Sequence, residues 1–184
     1  MSNQVLPPTM RAMQLTGFGD VDRLQLVHAP RPEPSLDEVL IKVGACGLNN
    51  TDLNLRKGWY GAEDDPEAQS GWQQRADQFP IIQGADIVGV VVGVGAGVAD
   101  TRIGERVIVN PTLYNAHPEN PMQIDFVGSE RNGGFAEYVC IPAINAHRIT
   151  SEHTDIELAT FPTAYLTAWH MLERAHVTGG ETVL

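Results

Sequence analysis

The run Ile87-Val-Gly-Val-Val-Val-Gly-Val94 is the strongest constraint on how this chain folds. Every position except the two glycines is β-branched, which disfavours helix and suits a pleated, buried strand. The glycines fall where a barrel strand bends or where another backbone comes close. Shorter strand-like runs surround it at residues 11–15, 24–28, 38–44, 104–109 and 135–141. Between the second and third, Ala29-Pro-Arg-Pro-Glu-Pro34 is excluded from a central sheet, because proline has no N–H to donate. The chain contains 18 Gly and 12 Pro, which favours short strands and turns over long helices. The expectation is a loose leader over 1–10, then a barrel-like β domain over 11–150.

Two stretches interrupt this pattern. Residues 61–78, polar and acidic, read as an exposed excursion. Residues 110–132, which include Pro111, Pro118 and Pro121, form a loop long enough to be functional or interfacial. A turn of helix is predicted over 52–57, ending at Gly58. After residue 150 the character changes. Ser151 is read as the cap of a short helix over 155–160, Pro162 as its interruption, and 165–175 as a second helix with Leu166, Trp169 and Leu172 at helical spacing. Gly179-Gly180 then precedes Glu181-Thr-Val-Leu184, read as the first strand of a further domain. The predicted class is therefore mainly β with some α.

Charge removes several functions. Only 12 Lys and Arg face 23 Asp and Glu, for a net charge of -11, which argues against binding nucleic acid or an anionic membrane surface. No apolar run is long enough to span a bilayer, and the N-terminus lacks a secretory pattern. The two cysteines, Cys46 and Cys140, read as reduced core thiols, so the expected location is the cytoplasm. Gly93-Val-Gly-Ala-Gly97 superficially suggests a dinucleotide loop, but its third glycine comes one place early and no helix follows. Asp64-Asp65-x-Glu67 reads as a solvated loop, and the six histidines show no ligand spacing.

Five motifs occur in order: Cys46-Gly-Leu-Asn-Asn-Thr-Asp-Leu53 running to Tyr60; Phe79-Pro-Ile-Ile-Gln-Gly-Ala-Asp-Ile-Val-Gly89; Gly104-Glu-Arg-Val107; Gly133-Gly-Phe-Ala-Glu-Tyr138; and Phe161-Pro-Thr-Ala-x-x-Thr-Ala168. Each alone is weak. Together, over about residues 11–184, they resemble the catalytic domain of the medium-chain dehydrogenase/reductases. The resemblance implies a GroES-like, partly open β-barrel, a nicotinamide cofactor (NADP or NAD), and a Rossmann domain starting near Glu181 that binds most of it. It also implies a homo-oligomer at native length, and an inactive fragment without the second half.

The departures from the family pattern carry information too. Zinc-type members place a Cys two residues before the Ser/Thr-Asp pair and a Gly-His-Glu later; here Asn49 precedes Thr51-Asp52, and Gly84-Ala85-Asp86 stands in the second place. Asn and Ala do not supply two of the roughly three protein ligands that a catalytic zinc takes. Residues 110–132 lack the four cysteines of the structural zinc lobe. The expectation is no zinc, as in the quinone oxidoreductase-like branch, whose matching Asn, Asp and Tyr line the nicotinamide and substrate pocket.

By that resemblance Asn49, Asp52 and Tyr60 are the candidate catalytic residues, Asn49 and Thr163 contact the cofactor, and Thr51, Arg56 and Tyr60 line the substrate pocket. Quinones, enones or aldehyde-type compounds are the expected substrates. Without a Lewis acid, a conjugated acceptor is favoured because resonance spreads the charge that arrives with hydride. The hydroxyl of Tyr60 is the proton donor in this reading. Plainer readings stand beside these. Asn49 and Asp52 are also good helix-cap residues, Tyr60 a packing aromatic, and Thr163 a cap for the next helix. Two alternative functions remain open: a zinc alcohol dehydrogenase with moved ligands, and a non-catalytic binding module on the same fold.

Overall fold

The computed structural model describes residues 6–60, 79–114, 116, 119–120 and 124–183. Ten short strands and three helices are present among them: β1 (Thr9–Leu15), β2 (Leu24–Pro30), β3 (Glu38–Gly47), α1 (Asn50–Lys57), β4 (Ile81–Ile82), β5 (Asp86–Val94), β6 (Arg106–Val109), β7 (Thr112–Leu113), β8 (Asp125–Phe126), β9 (Tyr138–Pro142), β10 (Ala146–Arg148), α2 (Asp155–Leu158) and α3 (Pro162–Arg174). The strands form a three-stranded sheet in the order β2-β1-β4, a five-stranded sheet β10-β6-β5-β3-β9 and a two-stranded ribbon β7-β8. The larger sheet curls into the expected partly open barrel.

The β-branched run is the spine of that barrel. Strand β5 lies between β3 and β6 with Ile87, Val88 and Val91 fully buried; Ile87 and Val91 pack with Val39, Ile41, Val107, Val139 and Ile141 into one core, while Val88 faces Leu158 and Ala159 of the α2 region. Each such side chain contributes roughly 1.5–3 kcal/mol by leaving water. Its two glycines differ in need. A Cβ on Gly89 would lie 2.2 Å from the carbonyl of Lys42, next to a register shift in β3 between Val43 and Ala45. That is a bulge, and it bends the strand. A Cβ on Gly93 would meet nothing closer than 3.4 Å, so this position does not require glycine. The tempting loop at 93–97 has a packing explanation: a Cβ on Gly95 would sit 1.7 Å from the Ser35 carbonyl.

Several boundaries differ from expectation. Strand β1 begins at Thr9 and buries Met10, so the leader ends earlier than residue 10. Strand β2 runs on to Pro30, which is tolerated because β2 is an edge strand. The stretch 110–132 is not wholly irregular, since β7 pairs with β8 inside it. The cap of α2 is Thr154, which forms a reciprocal capping box with Glu157; Ser151 instead accepts the N–H of His153. Pro162 opens α3 rather than interrupting a helix, because at the first helical position its missing N–H costs nothing. Residues 181–183 form no strand, having no neighbouring strand to pair with among the described residues. The 61–78 excursion, with its acidic cluster, lies outside the described residues. Most of α3 is exposed, including Tyr165, Trp169 and Met171.

Candidate active site

Where β3 ends, the chain turns into α1, and Asn49 is the turning residue. Its extended backbone and its side chain make it the N-cap: Oδ1 accepts the N–H of Asn50 at 2.8 Å, while its own N–H donates to Asp52 Oδ2 at 2.8 Å. The plain reading of Asn49 and Asp52 as a capping box is therefore real. It does not exhaust Asn49, because Nδ2 also donates to Asp86 Oδ2, 37 residues away, at 3.1 Å.

Asp86 is the first residue of β5 and only 2% exposed. Its other oxygen accepts both the backbone N–H of Thr163 at 2.8 Å and the Thr163 hydroxyl at 2.5 Å. Asp52, also buried, accepts the N–H of Gly84 at 3.1 Å, and its carbonyl takes a bond from Gln83 Nε2 at 2.9 Å. The segment 82–84 is held in turn by the paired glycines: Gly133 donates to the Ile82 carbonyl and Gly134 to that of Gly84. A Cβ on Gly133 would sit 2.2 Å from the Gly84 carbonyl, which explains Gly-Gly there.

Two carboxylates thus lie buried together, and the hydrogen bonds made to them come from neutral donors. Burial pushes the Asp52 carboxyl upward and the nearby Asp86 adds to this, partly offset by the N–H groups of Asn49 and Gly84. Burial, with both acids close by, also drives the Cys46 thiol far up. Cys46 is half-buried in β3, and Cys140, in β9, is raised to about 12, chiefly by burial. Both remain thiols at neutral pH.

The other candidates lie elsewhere along α1, whose eight residues rise about 12 Å. Tyr60 follows its C-terminal end; its ring packs with Leu15, Leu55 and Ile81, edge-on to Trp59. The Arg56 guanidinium donates to the Gly19 carbonyl at 2.7 Å, tying α1 to the turn before β2. The Thr51 hydroxyl is buried without a hydrogen-bond partner among the described residues, beside a small void that Leu55, Ala85, Val127 and Ser129 also line. The structure therefore brings Asn49, Asp52 and Thr163 together and leaves Tyr60 and Arg56 at the far end of the helix. Asp86, which joins the first group, belongs to the Phe79–Gly89 motif, but sequence alone gives it no role. Its one signal was an acid heading an otherwise apolar strand.

The alcohol dehydrogenase GroES-like domain family matches residues 35–151, and the chain belongs to it, within the medium-chain dehydrogenase/reductases. Among solved structures, one from Sinorhizobium meliloti that carries an alcohol dehydrogenase name is 51% identical, with a TM-score of 0.85, over 96% of this chain and 50% of that one. Human synaptic vesicle membrane protein VAT-1 homolog-like is 32% identical over 95% of this chain and 34% of its own length. A 2-methylene-furan-3-one reductase from Solanum lycopersicum is 30% identical over 97% of this chain and 41% of its own. The chain thus spans half or less of the length of these relatives.

Proposed function

We propose that this chain is the substrate-side domain of an NAD(P)H-dependent oxidoreductase that reduces quinones or activated alkenes without zinc. The observation that carries the reading is the Asn49–Asp86–Thr163 arrangement. Asn49 stands where zinc-type relatives carry the Cys, and Asp86, after Ala85, where they carry the Glu of Gly-His-Glu; the residues present do not fit a zinc. The Asn49 amide is engaged by Asn50 and Asp86, and Ala85 offers only a buried methyl. Among the described residues, no three His, Cys, Asp or Glu side chains cluster as a metal-binding group. The reductase name of the tomato relative supports the same substrate class.

The same residues suit a nicotinamide, which when bound supplies hydride. Asn49 keeps one Nδ2 hydrogen, and the Thr163 hydroxyl, having donated to Asp86, keeps its lone pairs as acceptors. The proton for the reduced acceptor comes from solvent and, where the acceptor reaches along α1 to it, from Tyr60, whose ring Leu15, Leu55 and Ile81 hold in place. The cofactor itself is held mainly by the second half that the relatives have, and the enzyme is cytoplasmic and oligomeric.

The test is oxidation of NADPH and of NADH by a form carrying that second half, with a small quinone and an enone, with and without a chelator. Turnover insensitive to the chelator supports the reading. Activity lost on chelation and restored by zinc overturns it in favour of a relocated metal site.

A further inference from the structure

We infer that Asp86 is a positioning residue, whose single carboxylate sets the amide of Asn49 and the hydroxyl of Thr163 together. Its functional meaning rests on the oxidoreductase reading, while the coupling it describes stands on geometry alone. An apolar side chain at position 86 would continue the pattern of Ile87 and Val88 and bury without cost. A carboxylate that is 2% exposed costs several kcal/mol in desolvation unless its lone pairs are used. They are used by three donors from two elements distant in sequence: Asn49 Nδ2 at 3.1 Å on one oxygen, and the Thr163 N–H and Oγ1 at 2.8 and 2.5 Å on the other.

The bonds fix more than position. With Oδ1 of Asn49 taken by the Asn50 N–H and Nδ2 by Asp86, the amide has no flipped alternative that keeps both. With its proton given to Asp86, Thr163 offers lone pairs to a ligand rather than a donor. One residue therefore dictates that the α1 side of the site presents a donor and the α3 side an acceptor. Asp86 needs no contact with substrate for this, since it acts through the two residues it holds.

The variant that separates these bonds is Asp86→Asn. A carboxamide has one acceptor oxygen; held by the two Thr163 donors, it turns its own NH2 toward the NH2 of Asn49. In the 184-residue chain, the expected NMR result is a displaced side-chain amide pair for Asn49, while the Thr163 amide keeps its slow solvent exchange. In a form with the cofactor half, Asp86→Asn is expected to lower kcat about tenfold, with the KM for reduced cofactor changed less than about threefold. In an Asn49→Ala background the same change is expected to cost less than about twofold, because the residue it acts through is gone. An unmoved Asn49 amide, or an equal loss in both backgrounds, overturns the inference. If the parent turns over no acceptor, the proposed reaction fails, and the NMR result still decides the coupling. Should Asp86→Asn not fold, Thr163→Val serves instead: the Asn49 side-chain amide must respond through Asp86, and silence there overturns the inference.

Discussion

The carboxylate of Asp52 and the backbone N–H of Gly84 meet at 3.1 Å across 32 residues of chain, joining the first turn of α1 to the approach of β5. The other Asp52 oxygen caps the helix through the Asn49 N–H. Both oxygens are acceptors for backbone donors in a buried place, so Asp52→Asn must face one N–H with an NH2. The expected cost is about 1–3 kcal/mol in urea unfolding. The pH dependence carries a sign. Because burial raises this carboxyl above its value of 3.8 in the unfolded chain, the native state holds the proton more tightly. The contribution is then most favourable below that value and is lost as pH rises through the raised one. The difference in stability between parent and Asp52→Asn is expected to shrink as pH rises through that window. A difference that grows instead would mean that Asp52 is held charged.

Gly84 itself gives a second expectation. Its φ is +98°, and a Cβ there would lie 2.6 Å from the Phe135 ring and 2.7 Å from Cys46 Sγ. Gly104 has a φ of +91° with nothing within 4 Å of a Cβ. Gly104→Ala then carries backbone strain alone, about 1 kcal/mol, whereas Gly84→Ala adds overpacking of about 1–3 kcal/mol. Paired denaturation curves test the ordering, and equal costs would show that the Phe135 side swings away freely.

How far sequence reaches is visible at the helix ends. Sequence offers Ser151 as the cap of α2, three residues before the residue that fills the role, because both Ser151 and Thr154 are good cap types. The capping box with Glu157 decides for Thr154. Thr154→Ala is expected to cost about 1 kcal/mol and Ser151→Ala a few tenths, read as thermal midpoints. A larger loss at Ser151 would shift the anchoring role to its carbonyl neighbourhood, where Arg106 also bonds.

The barrel was legible for a simple reason: β-branched runs and glycine punctuation are local signals, and β5 and β3 fall where those signals lie. The motifs marked the candidate site for the same reason. Its wiring was not legible. Asp86 reaches partners 37 and 77 residues away, and nothing in the spacing tells a capping Asn49 from one that also donates to a buried acid. Nor does the stretch from Asn49 to Tyr60 reveal that a helix holds its ends apart. Pro162 failed as a breaker because its effect depends on whether it sits inside a helix or opens one.

Glu38 and Arg131 supply a pH test of opposite sign. Glu38, at the start of β3, is buried; burial alone would raise it, but the N–H of Ser35 and the paired guanidinium of Arg131 outweigh that and hold it below its usual 4.5. Its stabilising share is present above the unfolded value and is lost as pH falls through the lowered one. Glu38→Gln is expected to destabilise by about 1–3 kcal/mol at neutral pH, with the deficit narrowing in acid. A deficit constant over that range would assign the loss to packing at the β3–β9 edge.

Thr51 is the remaining case, a buried hydroxyl with no partner among the described residues, beside a small void shared with Ala85, Val127 and Ser129. A polar atom left unmatched in the interior is a cost, so Thr51→Val, similar in shape, is expected to be neutral or to stabilise by up to about 1 kcal/mol. The void, about 10 Å³, is at the lower limit of what can hold one water molecule. If Thr51→Val instead destabilises by more than about 1 kcal/mol, a water bridges this hydroxyl to the 126–129 turn, and the position is built for hydration. Chemical denaturation of the variant, beside Thr51→Ser as a control that keeps the hydroxyl, separates the two. Retained stability in the serine form together with loss in the valine form identifies the water.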